Sequence, residues 1–447
     1  MALSTEQILA LAPDPASAKA GSQLAAPGKW QNCGTDERAI WGECQGSGKD
    51  PYRAQVDLSE PAFKCTCPSR KFPCKHGLGL LLLHAARPAQ FAAGAPPQWV
   101  SDWLANRQKR SEKKEAQATD AAPLSAEQIA AKAAAQAKRE EKRDSRVAAG
   151  MEELQKWLED LAREGYASIR ARGLKPWDDL AARLVDAQAP GVAGRLRRAS
   201  AWPFTANLPQ WEHYLTRDLA NLYMFAQIAR AETPPLDSDD LKTLIGVPSR
   251  QEDVLAGTTV SDRWQVLGQR NTEEERVRLR ATWLYGRQSR RHALVLHFAI
   301  GTQGFAQTIV PGTEFDAELA FYPGAVRQRA LIKSLGAADT SSAALPLQED
   351  AWRAYAQALA AQPFIERFPF SLRATPQTQG EGWALRLESG ASLSVHPQFQ
   401  HGWQLLALSG GMPLIIFGEW DGDALFPWSA EAGGQVVNLD DMLREAA

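Results

Sequence analysis

Three observations predict an α+β multidomain fold. Three cysteines and a histidine fall close together in Cys65-Thr66-Cys67-Pro68-Ser69-Arg70-Lys71-Phe72-Pro73-Cys74-Lys75-His76, after strand-like runs and before a short apolar run. Apolar residues then recur at helical spacing over residues 151–245, and after about Ala256 the pattern changes to period two. The expected architecture is a small ββα zinc module, a helical middle domain and a C-terminal α+β domain built on an antiparallel sheet. The corresponding segments are 1–107 with the module core at about 38–87, a charged Ala-rich linker over 108–146, a helical domain over 147–250, and the α+β domain over 251–447.

At the amino end, Ser4 and Gln7 stand at capping-box spacing before Ile8, Leu9 and Leu11, a short helix start that Pro13 ends. Residues 16–29 are small and polar and read as a surface connection. Ile40 to Cys44 and Tyr52 to Leu58 alternate around Gln45-Gly46-Ser47-Gly48-Lys49-Asp50-Pro51, a β-hairpin with a long loop. Val56 and Leu58 share a face with Ala54, and Trp41 is expected to stack there. The loop is not a phosphate-binding loop, because Glu43 and Asp50 stand where G-x-x-x-x-G-K-[ST] needs a glycine and a hydroxyl.

The spacing C-x-C-x6-C-x-H offers zinc three thiolates and an imidazole, one of the standard tetrahedral structural sets. Thiolates this close repel one another unless a cation neutralises them. Pro68 and Pro73 fix φ beside ligand positions. The run Gly77-Leu78-Gly79-Leu80-Leu81-Leu82-Leu83 reads as a buried helix whose first turn carries the last ligand pair. Zn²⁺ on Cys65, Cys67, Cys74 and His76 is therefore the expected cofactor. Ordinary buried cysteines are the weaker reading, since three of only five cysteines fall here. All four ligands belong to one local motif, with Asp57 and Glu60 on the hairpin as the carboxylates nearest in sequence, so the metal reads as structural rather than catalytic. Lys49, Arg70, Lys71 and Lys75 form a basic rim suited to phosphates or a partner surface, with plain solubility as the equal alternative. Cys33 and Cys44 lack further ligands, and His84 falls off the His76 face of the helix.

The pattern resembles the SWIM zinc finger, in particular its prokaryotic branch. Trp41-Gly42-Glu43-Cys44-Gln45-Gly46-Ser47-Gly48-Lys49-Asp50-Pro51-Tyr52 and the Cys65–His76 segment carry the likeness, over about residues 30–87. The resemblance implies a ββα module that binds nucleic acid or protein and has no catalytic activity. It also implies an adaptor in a bacterial complex, with a MoxR-type AAA ATPase or a von Willebrand A protein as partner.

Downstream, Trp99 and Trp103 are four apart on a helix expected to dock against the module. Residues 109–146 are rich in Ala, Lys, Arg and Glu and read as a linker, part disordered and part solvated helix, opened by a second capping box at Ser125 and Gln128. Met151, Leu154, Trp157, Leu158 and Leu161 form a helical stripe, as do Trp177, Leu180 and Leu184. Trp211, Leu215, Leu219, Leu222 and Phe225 form another. Strands are expected over Arg276–Tyr285, His292–Ile300, Phe370–Ala374, Trp383–Leu387 and Leu414–Phe417, with a helix over Gln348–Ala361. Asp421-Gly422 marks a hairpin turn, and Glu419, Asp421 and Asp423 read as its solvated tip rather than a cation site.

A chain of 447 residues exceeds one ordinary core, and 44% hydrophobic with 23% charged residues places it in the soluble globular class. Its net charge of −2 argues against coating nucleic acid along its length. Residues 1–146 nevertheless hold 21 basic against 16 acidic side chains, and the remainder 29 against 36. No apolar run is long enough to span a membrane, no secretion signal is evident, and the cysteine usage suits a reducing cytosol, so a cytoplasmic location is expected. No hydrolase, nucleotide or dinucleotide motif appears, and the chain is expected not to be an enzyme. The alternative is an enzyme with an unrecognised site in the C-terminal domain, which a deep pocket with a carboxylate and a histidine in contact would favour.

Overall fold

The computed structural model describes residues 5–440 apart from 13–14, 46–49, 59–61, 70, 120–125, 206–207, 209, 275–276, 301–304, 306, 308 and 341–343, with backbone alone at 6–7, 10, 15, 109–119, 126–137, 274 and 340. The amino-terminal unit opens with helices α1 (Thr5–Ala10) and α2 (Pro15–Leu24). Strands β1 (Trp30–Thr35), β2 (Ala39–Cys44), β3 (Tyr52–Asp57) and β4 (Ala62–Cys65) follow, then helix α3 (Lys75–Ala86), strand β5 (Ala92–Ala93) and helix α4 (Gln98–Thr119). The strands form one sheet in the order β4-β3-β2-β1-β5. The expected hairpin is present as β2 and β3, within a larger sheet.

Period-two alternation gives this sheet two apolar faces. Ile40, Cys44, Ala54, Val56 and Phe63 face α3, whose residues His76 to Leu83 are all buried because α1 and α2 cover its other side. Val310, from beyond the helical region, completes this core. The opposite face carries Ala39 and Trp41 against Val100 and Leu104 of α4, with Trp99 and Trp103 alongside. Docking of the Trp99/Trp103 helix is thus observed, but Trp41 stacks on α4 and not on Ala54, Val56 and Leu58. It pairs with Gln55, one residue out of phase with those side chains. The surface connection expected over 16–29 is instead largely α2, which packs on α3 where Gly21 meets Leu78.

Helix α5 (Ala126–Glu164) runs without a break from the charged segment into the stripe that begins at Met151. Its early part is polar, and from Val147 onward it contributes Met151, Leu154, Leu158 and Leu161 to a core. Ser125 lies outside the described residues. Helices α6 (Ile169–Arg172), α7 (Lys175–Asp186), α8 (Pro190–Ser200), α9 (Trp211–Ala229) and α10 (Ser238–Ile245) close around it. Trp177, Leu180, Leu184, Leu215, Leu222 and Phe225 are buried there, as their spacing predicts.

After helix α11 (Gln251–Ala256), the expected antiparallel region proves to be two sheets. Strands β6 (Thr259–Glu274), β7 (Val277–Gly286), β8 (His292–Ile300), β9 (Thr313–Phe321) and β10 (Arg329–Thr340) close into a barrel in the order β10-β8-β7-β6-β9. Only the β10–β8 pair is parallel. This is the Greek-key connectivity of an OB-type barrel. Helix α12 (Ala351–Ala361), strands β11 (Phe368–Gln379), β12 (Gly382–Leu387) and β13 (Ser392–Ser394), helix α13 (Gly402–Ser409) and strands β14 (Leu414–Trp420), β15 (Leu425–Ala432) and β16 (Gln435–Asn438) complete the chain. Their sheet is antiparallel throughout, ordered β13-β12-β11-β14-β15-β16. Trp283 and Leu267 of the barrel pack with Phe417 and Trp428 of the sheet. No helix among the described residues is long and apolar enough to cross a membrane.

The turn at Asp421-Gly422 joins β14 to β15 as expected, but its carboxylates are not a solvated tip. Glu419 is buried, takes a hydrogen bond from Trp283 Nε1 at 2.9 Å and pairs with Arg367 at 3.3 Å. Asp421 and Asp423 hold Arg217 of α9 at 3.2 and 2.7 Å. The partners come from distant parts of the chain, so the hairpin tip is a docking point for the helical region.

Candidate metal centre

Each ligand position is set by an element end. Cys65 closes β4, opposite Ala54 on the face that meets α3. Cys67 follows a knuckle in which Thr66 N donates to Arg53 O at 3.1 Å and Arg53 N donates to Thr66 Oγ1 at 3.0 Å. Cys74 is the N-cap of α3, and His76 lies in its first turn. Strand and helix approach closely because residue 77 is glycine: a Cβ there would stand 2.9 Å from Phe63 Cδ1. Phe72 from the intervening loop meets Phe63 edge-on at 6.2 Å, which anchors the loop to the core.

The result is a cluster in which one ligating atom each from Cys65, Cys67, Cys74 and His76 lies within 4.8 Å of the others. Cys65 Sγ and His76 Nδ1 are 3.8 Å apart. A tetrahedron with Zn–S near 2.3 Å has edges of about 3.8 Å, so the geometry fits a zinc ion. The donor set of three sulfurs and one ring nitrogen fits the same ion. Without metal the thiols divide their protons unequally. Hydrogen bonding from Cys65 carries the Cys74 thiol down to about 4, helped by His76 and the Gly77 amide at the helix start. Cys65 is held well above the usual thiol range, first by its bond to Cys74 and then by burial, and burial also raises Cys67. A cation bound here would displace the protons that these thiols carry.

Asp57 does not face this cluster. It lies on the α4 side of the sheet, paired with Arg107 at 3.5 Å and Arg38 at 3.9 Å. Glu60 lies outside the described residues. Cys33 and Cys44 stay out of the cluster, and burial together with Cys44 pushes the Cys33 thiol up to about 11. His84 is half-buried, edge-on to Phe91 at 4.9 Å. Of the basic rim, Lys71 and Lys75 are exposed beside the ligands, whereas Lys49 and Arg70 lie outside the described residues. Sequence reasoning missed one neighbour, Tyr52, whose ring centroid is 5.0 Å from that of His76. Lys64, exposed on edge strand β4, alternates with the inward Phe63 and Cys65 and so belongs to the opposite face of the sheet.

Residues 54–85 match the SWIM zinc finger, and residues 142–245 match the SWIM-associated four-helix bundle domain. No curated protein and no solved structure matches the chain. The first match spans β3 to α3 and contains all four ligands, and the second spans the core built by α5 and α7 to α10. The chain thus carries a SWIM zinc finger and, downstream of it, a SWIM-associated four-helix bundle domain.

Proposed function

We propose that the finger is a structural zinc module whose basic rim binds the phosphates of a nucleic acid, so that the chain acts as an adaptor. The observation that carries this reading is the four-ligand cluster with exposed Lys71 and Lys75 beside the ligands. Four protein ligands complete a tetrahedral structural site and leave the metal to shape the surface. The reading rests on the finger and not on the barrel. Barrels of this connectivity bind oligonucleotides on the face of their second and third strands. Here Trp283 and Leu294 of that face are packed under the C-terminal sheet.

The test is titration of the zinc-loaded chain with duplex and single-stranded DNA and RNA across a range of salt. Two phosphate contacts give a log–log salt slope of about −1.5 to −2. Lys71→Ala with Lys75→Ala should weaken binding and flatten that slope. Absence of salt-dependent binding at low ionic strength would discard the nucleic-acid reading and leave a protein partner. The partners that the sequence resemblance implies, a MoxR-type AAA ATPase or a von Willebrand A protein, are sought by pull-down with the same chain.

A further inference from the structure

Between α8 and α9 of the helical bundle and strands β6, β14 and β15 lies a cavity of about 330 Å³. Its size suits a small molecule and not a polymer. Five arginines line it: Arg195, Arg198, Arg217, Arg270 and Arg367. Four of them are occupied. Arg195 and Arg198 share Glu366 at 2.8 and 2.7 Å. Arg217 is bracketed by Asp218, Asp421 and Asp423, and Arg367 reaches Glu419.

Arg270 differs. Its guanidinium lies 3.8 Å over the Phe426 ring and 5.5 Å from the Trp428 centroid. Among the described residues it makes no hydrogen bond and no ion pair. Burial disfavours its charge, Glu419 counters this, Arg367 adds to the burial effect and Asp440 opposes it. A guanidinium stays protonated, so the site holds a partly desolvated cation stacked on aromatic rings, whose N–H groups meet no acceptor among the described residues. His396 Nδ1 accepts from Gln398 N at 3.2 Å, its Nε2 lies 3.8 Å from Asp421, and burial holds its pKa down to about 4. The contact between carboxylate and histidine that would favour an enzyme is present, but both ring nitrogens are already directed at protein atoms.

We propose that this cavity binds a small anionic molecule, with its phosphate or carboxylate group on the Arg270 guanidinium and its remainder against Leu222, Phe364 and Ile365. Arginine recognises both groups through paired N–H bonds, so the anion is identified by which probe binds. Isothermal titration calorimetry on the full zinc-loaded chain, with inorganic phosphate, pyrophosphate and citrate at matched ionic strength, is the test. Saturable binding of at least one probe is expected. Arg270→Gln should weaken it about tenfold or more, and Arg139→Gln on the exposed face of α5 should leave it unchanged. If Arg270→Gln does not fold, Arg270→Lys decides, because it keeps the charge and loses the planar fork. Failure of every probe to bind the wild-type chain would overturn the proposal, as would affinity unchanged in the variant that folds.

Discussion

Cys74 shows how much of the site depends on position. It is the N-cap of α3, and the hydrogen bond from Cys65, with His76 and the Gly77 amide at the helix start, draws its thiol down. Cys67→Ser and His76→Ala are expected to lose the bound zinc, measured by metal analysis of the purified variants. Structural zinc contributes on the order of 10 kcal/mol to a small module, more than such a module holds in reserve. Hydrogen-exchange protection should therefore vanish over 40–87 and in α1 and α2, which share that core, while α7 to α9 keep theirs. Zinc retained in both variants would remove the basis of the module. All four ligands were legible in the sequence, because local spacing alone brings them together. The role of Glu419, Asp421 and Asp423 was not, since their partners Trp283 and Arg217 lie 136 and 204 residues away.

Among the elements, α3 is the one the amino-terminal unit closes on, and its glycines set how closely. A Cβ on Gly79 would stand 2.8 Å from Leu24 Cβ and 3.1 Å from the Gly21 carbonyl oxygen. Alanine gains about 1 kcal/mol of helix propensity there, yet neither opposing atom is the end of a flexible side chain. Overpacking of this kind costs about 1–3 kcal/mol, so Gly79→Ala is expected to destabilise the unit by up to about 2 kcal/mol. Hydrogen exchange of the α2 and α3 amides in increasing denaturant measures it, and a gain in stability would show that α2 and α3 do not pack as described. The same packing explains why α2 was not foreseen. Its sequence PASAKAGSQL buries small residues against a neighbour and shows no large apolar stripe. Strand β9 was not among the expected strands either, although Phe315, Ala317, Leu319 and Phe321 alternate and all turn into the barrel. Strand β10 hides its period behind two irregularities, between Ile332 and Ser334 and between Leu335 and Ala338.

At the scale of the whole molecule, barrel, sheet and bundle are joined by polar contacts as well as by apolar ones, and one of these is sensitive to acid. His292 opens β8 beside Tyr285, and Gln348 Nε2 reaches its ring at 3.2 Å. Gln348 in turn pairs with the backbone of Ser371 on β11, through its Oε1 at 3.0 Å and its own N–H at 3.1 Å. Barrel and sheet therefore meet across a ring nitrogen that accepts from an amide. Burial holds the His292 pKa down to about 4, below the value of about 6.5 for an unfolded histidine. Between these values the unfolded chain takes up a proton that the folded chain refuses, so stability is fully present above about pH 6.5 and falls as the pH drops toward 4. His396 and His297 act in the same direction, since burial lowers both. For His292 alone the loss between pH 6.5 and 5 is at most about 2 kcal/mol, because one proton taken up on unfolding costs about 1.4 kcal/mol for each pH unit of acidification. Urea unfolding of the wild-type chain and of His292→Gln over that range is the measurement. The variant should lose less stability on acidification, with up to about one fewer proton taken up on unfolding. Equal pH slopes in the two proteins would place the acid sensitivity elsewhere and leave the barrel–sheet junction indifferent to this histidine.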